Sequence, residues 1–555
     1  MADSQSGGAD GHVDENTCLI SPQAQLLLLD HLVEDDVNID SDISPETIKE
    51  NGSLVVPESS PHGRYLGLYS TIILFVARMV GSGIFATPGG IFVDCSGSPF
   101  LFFLTWFIGF LIALSGLWVY LELGSFIPRS GATKVFLEFM FPNPKFFSSM
   151  VFGFFTVFFS LSTTNAIVFG EYIRYAFGCE NDELKSKITG ICLILSAVLL
   201  HGFSRKIGIL VQNTIGGLKL VLLAIMILSS FYVLILPSSI THLDNQLKKE
   251  KFFQIPPSFS TSLYASSVLK AIFSFGGWTT AHTVQSEIIN PTRTLKIAAP
   301  LSLSIVFVAY LAMNLCYMIV LPHKDILEGG QLVGPMLFTK LFGEKIGQKL
   351  LSIIISICAA GNVFVVVYSD SKMTQEVARE GFLPFSRSIA SNYPFKTPFL
   401  ALVFHGFISC AVMFIPNSEK QIFNYIVKMQ IYPNQLFHAI LCIGLLFKVR
   451  RKYDSIYKSQ LRAPTIFVWF CLVSSLSIVM GPFLSGVDSA NSGYAIVGLS
   501  VLFLGVLYWL VYVRIIPKFY DFSYIRIFDS LPFDGLRVKK WVKVYNQKDI
   551  GEIVA

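Results

Sequence analysis

The chain has 555 residues, 53% of them hydrophobic and only 14% charged, with a net charge of +5 and a mean hydropathy of +0.59. Soluble domains carry roughly 25% charged residues, so this chain has too little polar surface for water to solvate it. That excludes a soluble enzyme, a nucleic-acid binder and an extended scaffold, and leaves the bilayer as the main solvent.

Residues 1–62 stand apart. They hold thirteen acidic residues against one base, Lys49, which leaves +17 on the remainder. This acidic, Ser-, Gly- and Pro-rich stretch reads as a disordered tail over 1–63 with one apolar patch at Leu26–Leu29, a docking segment for a regulatory partner. It lacks the apolar stretch of a cleaved secretory signal, so the first hydrophobic span is expected to direct insertion.

Runs of about 20 apolar residues cross a bilayer as helices. Twelve are expected in chain order, at roughly 68–93, 99–122, 147–178, 188–204, 207–236, 264–286, 297–321, 347–371, 397–416, 421–447, 465–485 and 493–516. The predicted inner loops carry 17 Lys and Arg and the outer loops ten, which puts both termini in the cytoplasm. The domain plan is thus the tail, a transporter domain over 64–520 and a C-terminal cytoplasmic tail over 521–555. The linker 322–346, rich in glycine, reads as an outer lid. The nine cysteines show no metal-binding spacing and read as small buried hydrophobes. Cys95 and Cys179 alone fall in expected outer loops, where a disulfide is open to them.

Two spans are interrupted by glycine. The first contains Arg78-Met79-Val80-Gly81-Ser82-Gly83-Ile84-Phe85-Ala86-Thr87-Pro88, and the sixth Phe273-Ser274-Phe275-Gly276-Gly277-Trp278. Glycine costs about 1 kcal/mol inside a helix, and unwound backbone at membrane depth is tolerated only where protein or a cavity surrounds it. One such patch reads more readily as close helix packing. Two, each opening a five-span block, point to an inverted repeat with a binding site at the midplane. The expected fold is therefore all-α and polytopic, with twelve transmembrane helices, a 5+5 inverted repeat and discontinuous helices 1 and 6.

These strings carry a resemblance. GSGIFATP (81–88), FGGW (275–278), SEIINPTRTLKIA (286–298) and REGFLPFS (379–386) resemble the amino acid–polyamine–organocation superfamily, in particular its L-type amino acid transporters. YLELGSFIPRSGATKVFLE (120–138) and IIPKFY (515–520) look most like fungal methionine permeases of the low-affinity type. The resemblance covers about 64–520. It implies the LeuT-like fold, a plasma-membrane location and import of methionine or a similar neutral amino acid without a cofactor or metal.

A zwitterion needs donors for its carboxylate and acceptors for its ammonium. Amides of Ser82, Gly83 and Ile84, at the start of a half-helix, suit the carboxylate, with Gly81 a substrate-site candidate beside them. The carbonyls of Met79, Val80, Phe273 and Gly276 suit the ammonium, as the resemblance implies. Phe273 is the expected gate, with Trp278 beside it. Asn165 and Asn434 are polar at membrane depth and read either as pocket groups or as interhelical hydrogen-bond partners.

Lys219 lies well inside the fifth span, where an ionisable residue is a functional candidate. The resemblance implies that it stands in for a sodium ion and bridges the first span to the eighth. A desolvated lysine can release and regain a proton, which points to proton-coupled symport. Asn362 is the only oxygen donor near Val363–Val367, too few for a hard cation. Asp370 and Lys372 are open to an inner-gate ion pair, and Lys270 is expected to snorkel to the outer surface. Two other readings remain open: an exchanger linked through Cys179 to a single-span glycoprotein, and a non-transporting nutrient sensor. Neither an enzyme motif nor a nucleic-acid motif is present.

Overall fold

A computed structural model describes residues 63–81, 83–159, 162–179, 182–235, 252–255, 257, 260–329, 333–414, 422–454, 459–484, 489–531 and 537–545. The acidic tail up to residue 62 and Ser82 lie outside these described residues.

The first expected span is not one helix. It divides into α1 (Leu68–Met79), α2 (Gly83–Ala86) and α3 (Pro88–Asp94). Pro88 opens α3 at a first-turn position, where a missing N–H costs nothing. Then come α4 (Pro99–Phe126), the short α5 (Ala132–Met140), and α6 (Phe147–Phe159) with α7 (Thr163–Ala176), which together make one apolar segment over Phe147–Ala176 where the third span is expected, residues 160 and 161 lying outside the described residues. Helices α8 (Glu183–Phe203) and α9 (Arg205–Ile235) meet at Ser204 alone, and the Asp182 side chain caps α8 by accepting from Lys185 N.

The sixth expected span is also broken, into α10 (Thr261–Phe275) and α11 (Thr280–Thr283). It is followed by α12 (Pro291–Val320), by α13 (His323–Gly329) and α14 (Val333–Phe342) in the expected lid, and by α15 (Glu344–Ala378). The lid region is packed: Val333, Leu337 and Phe338 are buried. The rest of the bundle comprises α16 (Ser386–Ala390), α17 (Phe399–Met413), α18 (Ile422–Gly444), α19 (Arg450–Tyr453), α20 (Thr465–Leu484), α21 (Ser489–Trp509) and α22 (Ile516–Phe519). Among the described residues, eight helical segments are long and apolar enough to cross a membrane, and four shorter apolar helices accompany them.

Leucines, valines and phenylalanines such as Leu210, Leu228, Val308, Phe407, Val473 and Phe503 stand exposed on these helices. In water that would be a large unpaired apolar surface; in a bilayer it is the lipid-facing coat. The interior is held by buried aromatics, with Trp106 edge-on to both Phe275 and Tyr310. It also contains a buried bidentate pair. Arg450 donates to both oxygens of Glu122 at 3.0 and 2.6 Å, and Ala463 N donates to Glu122 at 2.8 Å. Satisfying each oxygen offsets the desolvation of the charges.

The expected C-terminal tail contains a sheet. Strand β1 (Ser523–Ser530) pairs antiparallel with β2 (Arg537–Val544), Ser523 opposite Val544. Leu531 and Val538 pack on Ala378, Ile389, Ala390 and Ala401, and Trp541 Nε1 donates to the Glu380 carbonyl at 2.6 Å. Glu380 in turn pairs with Lys134 of α5, which Glu138 also approaches at 3.2 Å. Burial disfavours the Lys134 ammonium, but the two carboxylates outweigh it and hold its pKa above the usual lysine range.

Candidate functional site

The two interruptions face each other. Helix α1 stops at Met79, and the backbone turns through Val80 and Gly81 before α2 begins at Gly83. Helix α10 stops at Phe275, and Gly276 to Thr279 are non-helical. Gly277 has φ +113°, a conformation that L side chains rarely adopt, and a Cβ there would lie 2.3 Å from Arg78 Cγ. A Cβ on Gly83 would lie 2.9 Å from Ser274 Cα. The two segments therefore approach as backbone against backbone, which explains the glycines on both sides.

Tyr310 of α12 joins them. Its hydroxyl proton is shared between the carbonyls of Met79 and Ser274, each 2.9 Å away. Thr87 Oγ1 lies 3.0 Å from Ser274 Oγ and adds a second link. Nothing in the reading of the sequence singled out Tyr310. A tyrosine inside an apolar helix gives no local signal, because its role depends on which backbone its hydroxyl reaches.

Lys219 is fully buried, and its Nζ donates to Ala77 O at 3.0 Å and to Val80 O. A Cβ on Gly361 of α15 would come within 3.3 Å of that nitrogen, so the ammonium lies between the end of α1 and α15. Asn362 Nδ2 donates to Arg78 O and, at 3.4 Å, to Ala77 O. Asn165 Nδ2 donates to Asn362 Oδ1 at 3.0 Å. Lys219, Asn362 and Tyr310, from three helices, thus converge on the carbonyls where α1 ends, and Asn165 orients Asn362 from behind.

The other expected site residues fall as follows. The Met79 and Val80 carbonyls already accept from Tyr310 and Lys219. The Phe273 carbonyl accepts from Gly276 N at 2.9 Å, and its side chain is half-buried. Ile84 is buried, and its carbonyl is 3.4 Å from the Tyr317 hydroxyl. Trp278 is packed edge-on to Tyr120 and against His438, at 5.1 Å between centroids in each case. Asn434 donates to Gln430 O of its own helix at 3.0 Å, whereas Asn165 is drawn to Asn362.

Charged residues close the ends differently from expectation. Lys372 pairs with Glu287 at 2.9 Å, while Asp370 lies 3.6 Å from Arg78, so the two expected partners serve separate bridges. The Glu287 carboxylate also accepts from the hydroxyls of Tyr65 and Tyr368, and its backbone carbonyl accepts from Tyr65 N and Leu66 N at 2.9 Å. This knot ties the entry to α1, the end of the sixth-span segment and α15. At the opposite end Lys270 does not snorkel: it is buried, 2.8 Å from Asp94 and 3.2 Å from Gly90 O. Burial with a partner costs less than the reach to water from that depth. Cys95 is buried beside Thr105 and Cys179 is exposed, and both thiols are free.

Residues 66–513 match the family model described as amino acid permease. The chain belongs to the amino acid permease family. It is 39% identical over 493 residues to the low-affinity methionine permease of Saccharomyces cerevisiae, covering 87% of this chain and 88% of that protein. It is 26% identical over 513 residues to the high-affinity methionine permease of the same yeast, covering 91% and 88%. The human large neutral amino acids transporter small subunit 2 is 25% identical over 488 residues, covering 85% and 84%. This permease is a multi-pass membrane protein that transports amino acids, not an enzyme.

Proposed function

We propose that this permease imports methionine or a similar neutral amino acid together with protons, by alternating access across the plasma membrane. Its scaffold in this reading is a twelve-span, LeuT-like 5+5 inverted repeat with both termini in the cytoplasm. The observation that carries it is the Lys219 ammonium against Ala77 O and Val80 O, at the point where α1 unwinds. A fixed cation there takes the place of a metal ion and is able to hand its proton on. The substrate carboxylate would be held by amides of Ser82, Gly83 and Ile84, and its ammonium by carbonyls of Met79, Val80, Phe273 and Gly276. Phe273 would gate the chamber.

The substrate class draws on the relatives named methionine permeases. The test is uptake of radiolabelled methionine into sealed vesicles. We expect accumulation driven by an inward proton gradient, unchanged when sodium is replaced by potassium, and competed by apolar neutral amino acids. A sodium requirement would remove the coupling proposal, and binding without accumulation would favour a sensor.

A second reading is exchange in a complex with a glycoprotein partner, favoured by the exposed Cys179 and by similarity to a protein named a small subunit. A mass shift on a non-reducing gel that disappears in Cys179→Ser would support it.

A further inference from the structure

We propose that a cleft beside the C-terminal hairpin binds the headgroup of an anionic phospholipid. The cleft measures about 660 Å³ and lies between the α5–α6 loop, the end of the last apolar helix and the start of β1. Lys145 and Arg514 line it, with Phe146, Phe522 and Tyr524 as aromatic walls. The inference rests on the chain being a multi-pass membrane protein and is independent of what it transports.

The backbone of Lys145 and the guanidinium of Arg514 are both held by Trp509. Trp509 Nε1 donates to the Lys145 carbonyl at 2.9 Å, and the Arg514 guanidinium carbon lies 5.7 Å from the centroid of the same indole. A third cation, Lys543 of β2, sits 4.9 Å above the Phe522 ring. Among the described residues, none of these three has a carboxylate within ion-pair distance. Elsewhere on this protein cations are consumed by acids, as at Lys134, Lys270, Lys372 and Arg450. Asp521, next in sequence to Phe522, is exposed.

The depth fits a lipid. After Trp509 the helix widens into a π turn over Leu510–Ile515, a feature frequent at functional sites, and this turn carries Arg514. Leu510, Val511 and Ile515 on that turn are exposed apolar side chains, and Phe519 and Tyr520 beyond it are 79% and 64% exposed. Aromatics at the end of an apolar helix mark the membrane–water interface. Acyl chains can thus lie along the apolar turn while the phosphate reaches Arg514 and Lys145. Juxtamembrane cations of this kind attract anionic headgroups.

The experiment titrates the purified full-length protein in neutral detergent and counts bound molecules by native mass spectrometry. The probes are dioctanoyl phosphatidylserine, dioctanoyl phosphatidylcholine and inorganic phosphate. We expect one saturable phosphatidylserine site, at least about tenfold tighter than phosphatidylcholine, and no retention of phosphate alone. Lys145→Gln with Arg514→Gln should weaken phosphatidylserine about tenfold or more. If that variant is not recovered folded, Lys145→Glu at its exposed loop position should weaken phosphatidylserine and leave phosphatidylcholine unchanged. Equal affinity for the two lipids, equal retention of phosphate, or no loss in the variants would overturn the assignment.

Discussion

The two breaks solve one problem in different ways. At the first, carbonyls freed by the end of α1 are taken up by side chains from elsewhere: Lys219 on Ala77 and Val80, Asn362 on Ala77 and Arg78, and Tyr310 on Met79. At the second, backbone geometry dominates, with Gly277 at φ +113° pressed against Arg78 and Gly276 N bonded to Phe273 O. Both breaks are crowded against an added Cβ, at Gly83 as at Gly277, but only the first also depends on the chemistry of several distant side chains. The first is also the one that carries a fixed charge.

This contrast can be broken from the second side most severely. Gly277→Val places a branched side chain at positive φ, with a Cβ 2.3 Å from Arg78 Cγ. Strain and overpacking together should cost on the order of 3 kcal/mol or more. The expected result is loss of uptake with a lowered unfolding midpoint in detergent. A variant with a normal midpoint and normal uptake would show that the second break has room to spare.

From the first side, Lys219→Met should act on function more than on assembly. It keeps the length of the side chain and removes the charge from between Ala77 O, Val80 O and Gly361. We expect surface expression near wild type and concentrative uptake reduced by at least about tenfold, the factor that about 1.4 kcal/mol corresponds to, because an ionisable group at membrane depth is there for function. Normal accumulation in this variant would reduce the lysine to a spacer.

The sequence made the two breaks legible because glycine pairs within apolar spans violate helix propensity in a place where lipid punishes unwinding. Lys219 was legible for the same reason, as a charge in a span that would otherwise be apolar. Tyr310 was not, since tyrosine belongs in such helices and only the fold brings its hydroxyl to Met79 and Ser274. Ion pairs were misjudged by sequence neighbourhood: Asp370 and Lys372 are two residues apart, yet on a helix they face different directions and find Arg78 and Glu287 instead. The C-terminal hairpin was missed because β2, heavy with lysine, looks like a solvated tail when read alone. Its burial against Ala378 and Ala401 is long-range information.

The smallest expected effect joins both breaks. Tyr310→Phe deletes one hydroxyl and leaves the ring packed against Trp106 and Phe275, so no cavity forms. The hydroxyl is the only described donor that reaches a carbonyl on each side, Met79 O and Ser274 O. Met79 O retains the donation from Gly81 N at 3.0 Å, so the variant leaves one carbonyl poorly satisfied, not two. A buried acceptor stripped of its partner costs about 1–3 kcal/mol, equivalent to roughly a tenfold change in an equilibrium. If the two breaks move as a unit, uptake should fall by about that factor while expression stays normal. If each break is held by its own devices, Lys219 and Asn362 on one side and Gly277 on the other, then Tyr310→Phe should transport at close to the wild-type rate. Combining Tyr310→Phe with Asn362→Ala separates the cases. Coupled breaks predict losses that are not additive, as for residues sharing one hydrogen-bond network, and independent breaks predict a simple sum.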